Sequence, residues 1–127
     1  MKKINILKFK RGETLDLTND PEVCCNVIEC SKDRFTLKEF KLITGHDDTL
    51  PYSAILCVNG KPVCHCVNDG WGGTTEMHPL DAQSRALMAS VCVKISKYKW
   101  SFQEIERPLK LDFIADTLAS SLARGGN

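Results

Sequence analysis

The chain has 127 residues, 43% of them hydrophobic and 26% charged, with a formal net charge of +1. That length suits one domain spanning residues 1–127, and the composition excludes a disordered chain. The near-zero net charge excludes a global attraction to nucleic acid or to an anionic membrane, and no window approaches the roughly 18 apolar residues of a membrane span.

The opening MKKINILKFK lacks an apolar run long enough for a signal peptide, so the expected location is the cytoplasm. Lys2, Lys3, Lys8, Lys10 and Arg11 form a basic run, and Glu13, Asp16, Asp20, Glu22 and Glu29 follow it. Such a run reads either as an arm for phosphates or, the favoured reading, as an exposed strand kept soluble by its lysines. Residues 11–32 carry weak signals: Leu15 and Leu17 suggest a strand, and Pro21 a helical turn through Val23 to Ile28.

In FTLKEFKLITG, residues 35–45, two readings compete. Thr36 with Glu39 makes a capping box and Phe35 with Phe40 its hydrophobic staple, which favours a helix ending at Gly45. The frequent β-branched and aromatic residues, with His46-Asp47-Asp48 as a turn, favour a strand. Local evidence leaves the two even.

YSAILCV, NGK and PVCHCVN then read as a hairpin, because Asn59-Gly60 suits the positive φ of both central residues of a type I′ turn. With a two-residue loop, Tyr52, Ala54, Leu56 and Val58 share a face with Val63, His65 and Val67, and Ser53, Ile55 and Cys57 share the other with Cys64 and Cys66. A three-residue loop reverses the second strand's parity. Both faces are fairly apolar, so cover on both sides is expected. The second strand runs into VNDGWGG, three glycines around one tryptophan.

On these residues the stretch 35–73 resembles a group of small proteins carried by phages and other mobile elements. Their shared pattern is a strand, a short acidic turn ending in Thr, a hairpin with Ala and Leu before Asn/Asp-Gly-Lys, and then Asn-Asp-Gly-x-Gly-Gly. The matching residues are Asp47-Asp48-Thr49, Ala54, Leu56, Asn59-Gly60-Lys61, Asn68-Asp69-Gly70 and Gly72-Gly73. Thr74 stands where members often carry Cys or Asn, and Trp71 where they often carry His or Asn. The resemblance implies a strand at FTLKEFKLI and a three-strand antiparallel meander. It implies no particular activity, though small proteins of mobile elements are commonly inhibitors of host defence, CRISPR systems included.

Gly70, Gly72 and Gly73 admit positive φ and close approach of another backbone. Three readings stay open. In the first and favoured one, Asn68 and Asp69 close a turn with their side chains while the glycines let the chain leave the sheet. In the second, the loop is a protein contact anchored by Trp71. In the third, exposed N–H groups cradle an anion, Asp69 serves a ribose or Mg²⁺, and Trp71 stacks on a base.

Downstream, Asp81 caps a helix through DAQSRALMASVCVKISKYK, with Leu87, Val91, Ile95 and Tyr98 as its apolar stripe. Residues 102–108 read as a connector or short strand. A second helix over residues 111–124 carries Leu111, Ile114, Ala115, Leu118 and Leu122 on one face, with Gly125 as its C′ residue. Lys94, Lys97, Lys99 and Trp100 place basic and aromatic groups at the end of the first helix. Contact with an RNA or DNA backbone is one reading, and complementing the helix dipole is the favoured one.

Seven cysteines are an odd count with no secretory signal, which favours reduced core residues over a disulfide framework. Cys64 and Cys66 share a strand face with sulfurs about 7 Å apart, too wide for one zinc bound at about 2.3 Å. No metal or cofactor is expected. Cys64 and His65 point to opposite faces, Glu76 and His78 read as a solvated loop pair, and no nucleophile or zinc-protease motif occurs, so an enzyme is not expected.

The expected fold is α+β: an antiparallel β-meander sheet of three to five strands packed with two C-terminal helices. The expected function is that of a non-catalytic interaction protein of a phage or mobile element, binding a host protein or ribonucleoprotein such as a CRISPR effector. Its contact residues are expected at Asn68, Asp69, Gly70, Trp71, Gly72 and Gly73, with Lys97, Lys99 and Trp100 as further candidates and nucleic acid as a secondary partner. The alternative is a nucleotide-binding or nucleotide-sequestering module using the same 68–73 loop.

Overall fold

A computed structural model describes residues 5–18, 24–43, 51–69 and 74–123. They form two sheets and two helices. The larger sheet runs in the order β1 (Ile6–Phe9), β3 (Val27–Cys30), β4 (Asp33–Leu42), β5 (Tyr52–Val58), β6 (Lys61–Asn68), β7 (Glu76–Pro79). The smaller runs β2 (Thr14–Asp16), β8 (Lys99–Phe102), β9 (Ile105–Pro108), and the helices are α1 (Ala82–Ile95) and α2 (Leu111–Ala123).

The class is α+β, but the sheet is not the expected antiparallel one of three to five strands. Among the described residues the larger sheet has six strands, and β1 pairs with β3, and β2 with β8, in parallel. After β1 the chain leaves to form β2 in the other sheet, so it returns to β3 by a crossover, the connection that parallel pairing requires. The expected helical turn into Val27 and Ile28 is replaced by β3, while residues 19–23 lie outside the described ones. β1 is an edge strand, and its Lys8 is exposed against Glu29 at 3.4 Å.

The antiparallel meander β4–β5–β6 forms the centre of the sheet, and the helix reading of residues 36–45 is overturned. Glu39 takes a φ of 53° where the β4–β5 register shifts between Lys38 and Lys41. This bulge turns Phe40 towards Tyr52, with ring centroids 5.9 Å apart.

Asn59 and Gly60 turn the hairpin with φ of 53° and 83°, as a type I′ turn needs. The face assignment nevertheless changes. Cys57 pairs with Pro62 and Leu56 with Cys64, so Val63 is an extra residue beside a proline that has no N–H for the ladder. Beyond this bulge Cys64 and Cys66 share the buried face with Leu56 and Ala54, while His65 and Val67 join Ile55 and Ser53 on the other. Cover on both sides is corrected with it: among the described residues the second face, Cys57 apart, holds half-buried or exposed residues, and both helices pack on the first.

Asp81 caps α1 by accepting from Ser84 N at 2.7 Å, and this bond holds its carboxyl below the ordinary Asp value. The stripe of Leu87, Val91, Ile95 and Tyr98 packs into the core. The helix ends at Ile95, so Tyr98 and the lysines beyond it are not helical. Residues 102–108 belong to the β8–β9 hairpin. On α2, Leu111, Ile114, Ala115 and Leu118 are buried as expected, Leu122 is half-buried, and Ser121 is fully buried, its Oγ accepting from Cys25 N at 2.8 Å. The expected cap at Gly125 lies outside the described residues.

Candidate functional site

The residues flanking the glycine stretch are tied to the body of the protein by a chain of side-chain hydrogen bonds. Asn68, the last residue of β6, donates from Nδ2 to Thr75 Oγ1 at 3.2 Å. Thr75 precedes β7 and donates from Oγ1 to Asp116 Oδ1 on α2 at 2.5 Å. Tyr52, which pairs with Asn68 across the β5–β6 ladder, donates its hydroxyl to the same Asp116 oxygen at 2.9 Å. Thr75 and Tyr52 are buried, and Asp116 is half-buried.

Burial raises the Asp116 pKa above the ordinary Asp value, and the Thr75 and Tyr52 hydroxyls oppose that shift. Tyr52 is pushed well above the usual phenol range, first by burial and then by the Asp116 charge. It therefore remains a donor at any ordinary pH.

Two members of this network each line a cleft of about 370 Å³, Asp116 one and Thr75 the other. On the Asp116 side lie Trp100, Arg107, Lys110 and Phe113. Trp100 stacks on Phe113 with centroids 4.1 Å apart and planes at 17°, and the Arg107 guanidinium sits 5.4 Å from the Trp100 ring centre. Register explains the second contact, since Trp100 and Arg107 are partners across β8 and β9. On the Thr75 side the lining is apolar, with Met77, Met88, Cys92, Ile95 and Leu109. Pro108, Lys110 and Asp112 border both clefts. One cleft thus offers aromatic faces with cations and carboxylates, and the other a thioether-rich apolar surface.

Of the sequence-predicted site residues, Asn68 belongs to the network, Asp69 is exposed at the end of β6, and Gly70, Trp71, Gly72 and Gly73 lie outside the described residues. The expected basic and aromatic patch at a helix end is not one surface. Lys97 lies in the turn after α1, whereas Lys99 and Trp100 alternate on β8 and face opposite ways. Lys99 pairs with Glu106 at 3.0 Å, and Trp100 turns to Phe113. Tyr52, Thr75, Arg107, Phe113 and Asp116 were not singled out from the sequence. The one local signal was an acid, Asp116, placed directly beside the buried Ile114 and Ala115.

Cys64 and Cys66 are buried, as expected of core cysteines, but their sulfurs lie closer than the strand spacing implies, 3.6 Å apart. The hydrogen bond with Cys64, and after it burial, pushes the Cys66 thiol far up. Cys64 and His65 do face opposite ways, buried and exposed. Glu76 and His78 lie on edge strand β7 instead of a loop, exposed and 3.0 Å apart. Among the described residues, no three His, Cys, Asp or Glu side chains are grouped to hold a metal ion, and no helix is long and apolar enough to cross a membrane. The chain matches no protein-family model, no curated protein and no solved structure.

Proposed function

We propose that the protein is a non-catalytic interaction module that docks on a host macromolecule through the 68–73 stretch and the clefts beside its anchor. The observation that carries this reading is the Asn68–Thr75–Asp116–Tyr52 network, which fixes both flanks of the stretch to β5 and α2, with Asp116 lining the aromatic–cationic cleft and Thr75 the apolar one. Fixed flanks lower the ordering cost of binding, and a tryptophan between glycines is a good anchor for a partner's pocket. The resemblance of residues 35–73 to proteins of phages and mobile elements supports a host partner, with a defence nuclease such as a CRISPR effector as the first class to try.

The test is affinity purification from host cells, with inhibition assays on purified defence nucleases, using the wild type and folded Trp71→Ala and Gly72→Ala variants. A partner lost with Trp71→Ala supports the reading. If every captured partner and every inhibited nuclease is unaffected by both changes, the proposed surface is wrong.

A second reading, a nucleotide-binding module, is favoured by the Trp100, Phe113, Arg107 and Lys110 cleft beside Asp116. A ligand at 100 times its Kd stabilises the fold by about 2.7 kcal/mol, so a thermal-shift screen with linear and cyclic nucleotides that shows no movement removes it.

A further inference from the structure

We infer that the opposite end of the six-stranded sheet carries a separate site, a cationic notch that takes a phosphate of a polynucleotide backbone. The two ends are set apart by the length of β5, whose Tyr52 pairs with Asn68 and whose Val58 pairs with Phe35 near the start of β4. The notch measures about 110 Å³ and is lined by Arg11, Ser31, Lys94, Lys97 and Tyr98.

Its cations come from distant parts of the chain. Arg11 follows β1, Lys94 is in the last turn of α1, and Lys97 is in the turn after it. The basic run near the N-terminus and the lysines after α1, two separate features of the sequence, therefore meet in space. Lys94 is positioned from below: its Nζ lies 3.3 Å from Asp33 Oδ2, and Asp33 Oδ1 accepts from Asn59 Nδ2 at 2.9 Å. Asn59 is itself fixed, its Oδ1 accepting from Arg34 N at 2.9 Å. Asp33 offsets one of the three cations, and no carboxylate among the described residues pairs with the other two.

Size decides the class of ligand. The notch is far below the roughly 300 Å³ at which small-molecule pockets begin, so it admits one anionic group of something larger. Lys10 and Lys32, both exposed, flank Arg11 and Ser31 in the chain and add positive charge to the segments that line the notch. A row of phosphates fits such a surface, and contacts of this kind position a polynucleotide without reading its sequence. The net charge of +1 is no obstacle, because the attraction is local.

The test is fluorescence anisotropy with labelled single-stranded RNA, single-stranded DNA and duplex DNA of equal length, across a salt series starting at about 50 mM. The full chain is compared with Arg11→Ala/Lys97→Ala, with the charge-keeping Arg11→Lys/Lys97→Arg, and with Lys41→Ala, an exposed lysine near the other end of β4. At least one polynucleotide should bind, and the double alanine variant should weaken it about tenfold or more at low salt. Each lost cation should lower the salt slope by about 0.7 on a single strand or 0.9 on a duplex. The charge-keeping variant should bind nearly as the wild type, and Lys41→Ala should be unchanged. The inference is overturned if no polynucleotide binds at low salt, if the double alanine variant binds as tightly as the wild type, or if Lys41→Ala weakens binding as much. Retention of heparin with none of the polynucleotides bound also overturns it. These readouts do not involve Trp71, so failure here and failure of the docking surface are distinguishable.

Discussion

Asp116 is the residue on which the anchor depends, because it accepts from both Thr75 and Tyr52 at one oxygen. Replacing it with alanine leaves two largely buried hydroxyls short of an acceptor, which should cost about 1–3 kcal/mol in urea unfolding. The pH dependence has a definite sign. Burial raises the Asp116 pKa on folding, so the folded state holds this proton more tightly than the unfolded state. Its contribution to stability is therefore most favourable below the ordinary value of 3.8, declines as pH rises through the raised value, and then levels off. The stability of the wild type relative to Asp116→Asn should fall across that window, and a flat or rising difference would show that the carboxyl is not desolvated. Asn68 was legible as a candidate because it begins the glycine-rich stretch of the sequence. Thr75 and Asp116 were not, since their bond joins positions 41 apart in sequence and no local spacing announces such a meeting.

At the scale of elements, the strong local signals and the structure agree where chemistry is specific. Asn59-Gly60 turns the hairpin, and Asp81 starts α1. Strand β4 was ambiguous because Thr36 and Glu39 mimic a helix start, and pairing with both neighbours decides it. Face assignment in the hairpin failed on one extra residue at Val63, a shift that the period-2 pattern cannot anticipate. β3, β7 and β8 were not legible, each having only four residues, whereas β9 falls within the 102–108 segment whose reading included a short strand. The turns make a paired test. Gly60 has φ of 83° with nothing within 4 Å of an added Cβ, so Gly60→Ala should cost about 1–2 kcal/mol through backbone conformation alone. Lys32, at φ of 68° in the β3–β4 turn, should give the reverse on mutation to glycine, a gain below about 1 kcal/mol because glycine also loses more entropy on folding. Denaturation midpoints check both, and equal signs for the two variants would contradict the turn assignment.

At the scale of the molecule, two sheets share one core: Leu15 and Trp100 of the smaller sheet pack against the same buried cluster as the larger. Composition and periodicity made the α+β class and both helices legible. The parallel pairings were not, because the crossover from β1 through β2 to β3 depends on which sheet a three-residue strand joins. The resulting topology separates the Asn68–Thr75 anchor from the cationic notch by the length of β5. The measurement that bears most directly on the proposed function is hydrogen exchange of the protein alone and saturated with the partner recovered by affinity purification. Slowed exchange concentrated in peptides covering residues 68–75 and the first turns of α2 is the expected result. Protection elsewhere, with exchange across 68–75 unchanged, would contradict the account.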